Sequence, residues 1–173
     1  MRKVIVTGAN GVGKSHFAER LAAARPDLRL ISYDTIRLMK GWAKRPQIEI
    51  EAALSSLLKA DDWIIEGGPS ILSHALTKAE GVVWLDPPEI LRAWRLAIRP
   101  WLNRGRTRPE LPEGNVDWPL EQYRFALRSL KNRSIFRERI KSLLCGRKDV
   151  HVWHCRCQKD VGKAIEDLAA SAD

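Results

Sequence analysis

The eight residues from Gly8 to Ser15 read G-A-N-G-V-G-K-S, a complete match to the pattern G-x-x-x-x-G-K-[ST]. The motif follows the apolar run Val4 to Val6 and leads into a segment, Lys14 to about Ala24, whose apolar residues recur at helical spacing. A strand before the pattern and a helix after it are the context in which it forms a phosphate-binding loop. The motif therefore predicts a loop that binds a polyphosphate between a core strand and a helix.

Each residue type in this loop has a physical role in holding a chain of phosphates. Gly8, Gly11 and Gly13 allow the backbone to curl so that successive N–H groups point inward. The N-terminus of the following helix adds partial positive charge, Lys14 can reach the β- and γ-phosphates, and the Ser15 hydroxyl can ligate Mg²⁺. The predicted ligands are ATP and Mg²⁺. The predicted nucleotide-binding residues are Gly8, Ala9, Asn10, Gly11, Val12, Gly13, Lys14, Ser15 and His16.

Apolar strands and helical segments alternate along the rest of the chain. The pattern predicts further strands over 28–32, 63–65, 82–85 and 150–153, and helices over 48–58, 89–98, 120–130, 135–144 and 160–170. This alternation predicts a single α/β domain, residues 1–173, with a parallel sheet of about five strands covered by helices on both faces. A segment rich in proline and glycine, about 100–119, interrupts the pattern and is predicted to be a lid.

Basic residues are concentrated in one third of the chain. The net charge is +9, and between Arg92 and Lys148 fifteen basic residues stand against five acidic ones. This segment is a solvated helix face, a nucleic-acid-binding surface, or a set of arginines that converge on transferring phosphates.

No apolar run approaches the ~20 residues of a membrane span, and three cysteines without disulfide-framework spacing fit a reducing compartment. We therefore expect a cytoplasmic monomer or dimer that binds no membrane.

Acidic residues follow three of the predicted strands. Asp34 lies two residues after the second strand, Glu66 ends the third and Asp86 ends the fourth. Because ligands of open α/β sheets bind beyond the carboxyl ends of the strands, these acids are candidates for the site. At least one should face Mg²⁺, and Ser15 and Glu66 are the predicted metal-binding residues. The alternatives are that Asp34 caps a turn, that Glu66 is a loop charge and that Asp86 satisfies backbone donors.

The fourth strand leads into a helix that places Arg92, Arg95 and Arg99 on one face. Adenylate kinase-type P-loop kinases have an aspartate near the end of the fourth strand, followed by two arginines separated by three residues. Asp86, Arg95 and Arg99 match that pattern, and the chain resembles these kinases. More closely, the chain resembles the bacterial DNA topology modulation proteins. That resemblance rests on D-x-I at Asp34 to Ile36, W-I-I-E-G at Trp63 to Gly67, L-D-P at Leu85 to Pro87, R-G-R-T-R-P-E at Arg104 to Glu110, and D-W at Asp117 and Trp118.

The resemblance implies the strand order 2-3-1-4-5 and transfer of the γ-phosphoryl group of Mg-ATP to a small acceptor, a nucleoside, nucleotide or related metabolite. The residues expected to act in catalysis are Lys14, Asp34, Arg95 and Arg99. Those expected to bind the acceptor are Asp34, Arg37, Glu66, Gly67, Arg104 and Arg106.

The acceptor side departs from the adenylate kinase pattern. Those enzymes carry D-G-F-P-R after the third strand, whereas this chain has E-G-G-P-S, with Ser70 in place of the arginine that binds the acceptor phosphate. The string I-S-Y-D-T-I-R, with Asp34 and Arg37, resembles polynucleotide 5′-hydroxyl kinases. A hydroxyl acceptor benefits from a carboxylate base, so Asp34 is predicted to position or deprotonate the acceptor. A polynucleotide 5′-hydroxyl kinase and a nucleotide-dependent DNA-binding regulator remain alternatives.

Overall fold

Five parallel strands form one sheet in the order β2-β3-β1-β4-β5. The computed structural model describes residues 1–103, 105, 111–116 and 118–171. The strands are β1 (Lys3–Gly8), β2 (Arg29–Ser32), β3 (Trp63–Gly67), β4 (Gly81–Leu85) and β5 (His151–Cys155). Each neighbouring pair is parallel, which confirms both the predicted sheet and the strand order that the resemblance implied.

Eight α-helices connect and cover these strands within the described residues. They are α1 (Lys14–Ala24), α2 (Tyr33–Arg37), α3 (Gln47–Leu57), α4 (Leu72–Ala75), α5 (Glu89–Leu102), α6 (Pro119–Lys131), α7 (Arg133–Leu144) and α8 (Gln158–Ala170). Helix α5 runs past its predicted end at residue 98 and includes the buried Pro100, although proline removes one backbone hydrogen bond there. In the described part of the chain, none of these helices combines the length and the apolar character needed to cross a bilayer.

The core lies in two layers, one on each face of the sheet. Side chains alternate along each strand, so Ile5 of β1 packs with helices α2, α3, α4 and α7, while Val4 and Val6 pack with α1 and α8. Strand β3 does the same, with Trp63 and Ile65 on the first face. Every residue of β3 and β4 is buried, and so is every residue of β1 except Lys3, as expected for a parallel sheet covered on both faces.

The parallel arrangement brings the carboxyl ends of the strands to one edge. In the ladder, Glu66 on β3 is paired with Val6 on β1 and with Ser32 on β2, and Gly8 is paired with Leu85 on β4. The residues that follow these positions are the glycine-rich loop, the start of α2 and Asp86. The sheet therefore brings the phosphate-loop motif, Asp34, Glu66 and Asp86 to one edge.

Candidate functional site

The loop between β1 and α1 adopts a backbone that only glycine accommodates readily. Gly8, Gly11 and Gly13 have φ angles of 147°, 83° and 98°, in the range that L side chains rarely adopt. A Cβ added at Gly11 would lie 2.7 Å from Leu96 Cγ, and one at Gly8 would overlap the Leu85 carbonyl oxygen. The Lys14 ammonium donates a hydrogen bond across the loop to the Ala9 carbonyl oxygen at 3.1 Å. This shape fits the polyphosphate that the motif predicts.

Helix α5 packs along this loop and contacts three consecutive loop residues. Arg92 Nε donates to the Asn10 carbonyl oxygen at 2.8 Å, Leu96 lies against Gly11, and Arg95 Nη1 donates to the Val12 carbonyl oxygen at 2.8 Å. The Arg95 guanidinium also lies beside Gly13, because a Cβ there would be 3.2 Å from Arg95 Nη1. The helix thus places a cation next to the predicted phosphate site.

The three arginines of α5 share a face but differ in burial and partners. Arg92 is buried, whereas Arg95 and Arg99 are half-buried. Arg99, one turn beyond Arg95, donates from Nη2 to Gln122 Oε1 of α6 at 3.2 Å. Arg95 and Arg99 are therefore the members of the set that an added phosphate could reach.

The acids at the sheet edge have distinct surroundings. Glu66 is 5% exposed and accepts a hydrogen bond from Ser32 Oγ at 2.8 Å. Asp34 lies in the first turn of α2, whose N-cap residue is Ser32, so it does not cap the helix as the alternative interpretation proposed. It pairs with Arg37 at 2.9 Å, and both side chains are about two-fifths exposed, at 40% and 38%. The Asp34–Arg37 ion pair at the sheet edge is thus accessible to an acceptor.

Asp86 is occupied by contacts that the sequence did not reveal. Arg137 of α7 donates to one carboxylate oxygen at 2.7 Å, and His154 of β5 lies 3.2 Å from the other. The His154 ring also stacks on Trp84, with centroids 3.9 Å apart. Asp86 therefore joins α7 and β5 at the end of β4, beside a cleft of about 360 Å³.

Uncharged side chains form a neutral wall at the position where adenylate kinases have the arginine that binds the acceptor phosphate. Ser70 lies next to Tyr33, and burial raises the pKa of the Tyr33 phenol, so that this side chain stays protonated. Gly67 is buried and leaves room for Tyr33, since a Cβ there would lie 2.9 Å from Tyr33 Cβ. The Arg37 guanidinium lies 5.9 Å from the centre of the Tyr33 ring. Arg37 thus places a cation beside Tyr33 on this side of the site.

Comparison with known proteins identifies the fold. No protein-family model and no curated sequence matches the chain. Similar solved structures include shikimate kinase from Bacteroides thetaiotaomicron, 16% identical over 97% of this chain and 96% of that chain, with a TM-score of 0.53. The chain has the P-loop kinase fold.

Two further structures support the same P-loop kinase fold. A gluconokinase from Sinorhizobium meliloti is 18% identical, covers 99% of this chain and 93% of its own, and has a TM-score of 0.53. Shikimate kinase from Acinetobacter baumannii in complex with shikimate is 15% identical, with coverages of 97% and 90% and a TM-score of 0.51. At these identities the similarity establishes the fold.

The structure describes residues 100–103, 105, 111–116 and 118–119 of the predicted lid segment. Arg104 and Arg106 of the predicted acceptor set, and Asp117, lie outside the described residues. At the far end, the buried Asn115 side chain accepts a hydrogen bond from the Trp42 backbone N–H, and Trp42 Nε1 donates to the Val116 carbonyl oxygen at 3.2 Å. Trp42 has a φ of 62°, unusual for a bulky residue. These contacts join the lid segment to the turn that follows α2.

Proposed function

We propose that this protein is an ATP-dependent kinase that transfers the γ-phosphoryl group of ATP to a small acceptor, a nucleoside, nucleotide or related metabolite. One observation carries the proposal. The phosphate loop, with Lys14 across it, and the half-exposed Asp34 carboxylate follow strands that end at the same edge of one sheet. An ATP site and an acceptor base are what phosphoryl transfer to a hydroxyl requires.

The residues present also fit Mg²⁺. Ser15 directly follows Lys14 in the motif, and the buried Glu66 carboxylate lies at the carboxyl end of the adjacent strand β3. Hydroxyl and carboxylate oxygens are ligands that Mg²⁺ accepts, often through water. When bound, Mg²⁺ would neutralise charge on the phosphates. Ser15 and Glu66 are therefore the proposed metal-binding residues.

The proposed reaction is a direct transfer. Asp34 accepts the proton of the acceptor hydroxyl as its oxygen forms a bond to the γ-phosphorus, the bond from that phosphorus to the bridging oxygen breaks, and ADP leaves. Lys14 and the loop amides bind the phosphates, while Arg95 and Arg99 offset the negative charge that develops during transfer. Arg37, paired with Asp34, orients the carboxylate or binds a charged group of the acceptor.

Two observations support a hydroxyl acceptor. Ser70 and the protonated Tyr33 form a neutral wall where adenylate kinases place an arginine for the acceptor phosphate. Structures of similar fold are named shikimate kinase and gluconokinase, which are kinases of small metabolites. The acceptor that we propose therefore presents a hydroxyl group to Asp34.

Arg95 and Arg99 should act mainly on the transition state. We expect Arg95→Ala and Arg99→Ala each to lower kcat by ~10² or more, because these cations meet charge that develops in transfer. The Kd for ATP should change much less in Arg99→Ala, whereas Arg95→Ala should also raise it, by a smaller factor than its loss of kcat, because it removes the donor to the Val12 carbonyl oxygen. Steady-state kinetics and ATP titration would measure both quantities, with Arg124→Ala on the exposed surface of α6 as the control. Equal losses of affinity and rate would make these residues ground-state binders, and no loss would leave them without a catalytic role.

The Asp34–Arg37 pair also favours a second candidate, a polynucleotide 5′-hydroxyl kinase. In that case Asp34 would contact the terminal hydroxyl and Arg37 a neighbouring phosphate, and the basic segment 92–148 would bind the nucleic acid. A third candidate is a nucleotide-dependent regulator that binds DNA through the basic segment 92–148 without kinase turnover. We regard both as alternatives to the small-metabolite kinase.

A labelled-ATP screen of nucleosides, nucleotides, small hydroxylated metabolites and 5′-hydroxyl oligonucleotides distinguishes these functions. A small-metabolite kinase should transfer label to one of the small acceptors and turn over ATP only when that acceptor is present. Label on oligonucleotides alone would establish the second candidate. DNA binding with a steep salt dependence and no labelled product would establish the regulator and overturn the kinase proposal.

A further inference from the structure

A guanidinium with four hydrogen bonds is buried between the phosphate loop and two helices. Arg92 is 2% exposed. Its Nε donates to the Asn10 carbonyl oxygen at 2.8 Å, its Nη1 to Glu89 Oε1 at 2.6 Å, and its Nη2 to the carbonyl oxygen and Oγ of Ser129 at 2.7 and 2.9 Å. A charge at this depth is stable only when its hydrogen bonds are satisfied. All three nitrogens of Arg92 have acceptors.

These contacts join elements that are far apart in the sequence. Asn10 belongs to the phosphate loop, Arg92 to α5 and Ser129 to α6, and the loop contact spans 82 residues. The Asn10 side chain also reaches Ser129 Oγ at 3.4 Å. The second oxygen of Glu89 accepts from Arg133, the first residue of α7, at 2.9 Å. The predicted lid segment lies between α5 and α6, so Arg92 connects the loop to both helices that flank it.

The contact at Asn10 constrains a phosphate-binding amide. In a trans peptide the C=O of one residue and the N–H of the next point in opposite directions. The Asn10 carbonyl oxygen is held toward α5 by Arg92, so the Gly11 N–H points away from α5. Arg95 holds the Val12 carbonyl in the same way and so directs the Gly13 N–H. Two amides of the loop are thus oriented before any phosphate arrives.

We infer that Arg92 is a positioning residue: it fixes the phosphate loop in its binding shape and couples phosphate binding to helices α5 and α6. The inference rests on the proposed function only in that the loop binds ATP. It predicts that losing Arg92 weakens ATP binding without removing any group that touches ATP. The loop must then become ordered when ATP binds, and the entropy lost in that ordering lowers the affinity. By linkage, ATP should also stabilise α6 through Ser129.

The test compares two buried arginines of similar chemistry. Arg25 is also 2% exposed, donates to the carbonyl oxygens of Met1 and Leu168, and pairs with Asp27, on the α8 side of the sheet. Arg25→Met and Arg92→Met both leave buried acceptors without a donor, so both should lower the melting temperature without ligand. Only Arg92→Met should raise the Kd for ATP, by about tenfold or more, since it alone loosens the loop.

Gentler variants keep the test decisive if Arg92→Met does not fold. Arg92→Lys retains the charge, but its three N–H donors on a single nitrogen cannot serve all four acceptors, and Ser129→Ala removes one of them. Each should weaken ATP binding by a smaller factor than Arg92→Met. In the wild type, ATP should slow amide hydrogen exchange over 126–131, and Arg92→Lys should reduce that effect. Equal Kd values for ATP in the wild type, Arg92→Lys and Ser129→Ala would overturn the inference.

Binding and turnover separate the two claims. A wild-type protein that binds ATP but phosphorylates no acceptor would overturn the proposed kinase and leave the role of Arg92 to be decided by the Kd values. A wild-type kinase whose ATP affinity is the same in Arg92→Met and Arg25→Met would retain the proposed function and reduce Arg92 to a structural residue.

Discussion

Lys14→Ala should abolish most of the stabilisation that ATP gives to this protein. At a ligand concentration of about 100 times Kd, binding adds about 2.7 kcal/mol to stability, which corresponds to a rise in melting temperature of roughly 5–10 °C for a chain of this size. Lys14 is the only cation built into the loop motif, and its ammonium lies across the loop, 3.1 Å from the Ala9 carbonyl oxygen. A thermal-shift titration with ATP should therefore show almost no rise for the variant.

The matched control is Lys163→Ala on the exposed surface of α8, a helix on the same face of the sheet as α1. This variant loses the same charge and should keep the full ATP-dependent rise. Both proteins should have nearly the melting temperature of the wild type without ligand. If folded Lys14→Ala were stabilised by ATP as strongly as the wild type, the phosphate-loop interpretation would be wrong.

The sequence predicted the fold because its strongest signals are local. The glycine motif, the apolar strands and the helical spacing each occupy fewer than about twenty residues. Helix α1 was predicted to within a residue because Lys14 to Ala24 lies between the motif and Pro26. The strand order came from the resemblance, since alternation alone does not define which strands are neighbours. The short helix α2 was missed because its five residues are too few to show a period.

The side-chain partners at the site could not be predicted because they join distant parts of the chain. Helical spacing places Arg92, Arg95 and Arg99 on one face, but not their depth, which depends on how closely α6 approaches α5. Arg92 is covered by Ser129, near the C-terminal end of α6, whereas Arg99 contacts Gln122 near the N-terminal end of α6. The contact of Asp86 with His154 spans 68 residues in the same way. No local pattern encodes such pairs.

Some predictions remain untested. The roles of Ser15 and Glu66 toward Mg²⁺, the cytoplasmic location and the oligomeric state stay predictions. The proposed acceptor contacts of Arg104 and Arg106 concern residues outside the described part of the chain. His16 is exposed on the first turn of α1, where a nucleotide phosphate could reach its backbone. The metal, phosphate and acceptor contacts require a bound nucleotide, which the Lys14 and Arg92 titrations would first establish.

Asp34→Asn should lower kcat for a hydroxyl acceptor by ~10² to 10⁴, because the amide keeps the size and hydrogen bonding of the carboxylate but cannot accept a proton. ATP binding should be intact, since Asp34 lies on α2 and the ATP phosphates bind at the loop before α1. Steady-state kinetics with the acceptor found in the screen, together with an ATP titration, would measure both effects.

The control variant is Asp61→Asn, because Asp61 precedes β3 at the opposite end of the sheet and is 90% exposed. It should leave kcat and the Kd for ATP unchanged. A phosphate acceptor should be affected less by Asp34→Asn, because its oxygen is already anionic. If Asp34 also organises Mg²⁺, raising the Mg²⁺ concentration should recover part of the rate. Turnover of a hydroxyl acceptor near the wild-type rate would exclude Asp34 as the base, and its pairing with Arg37 would then be a structural contact of α2.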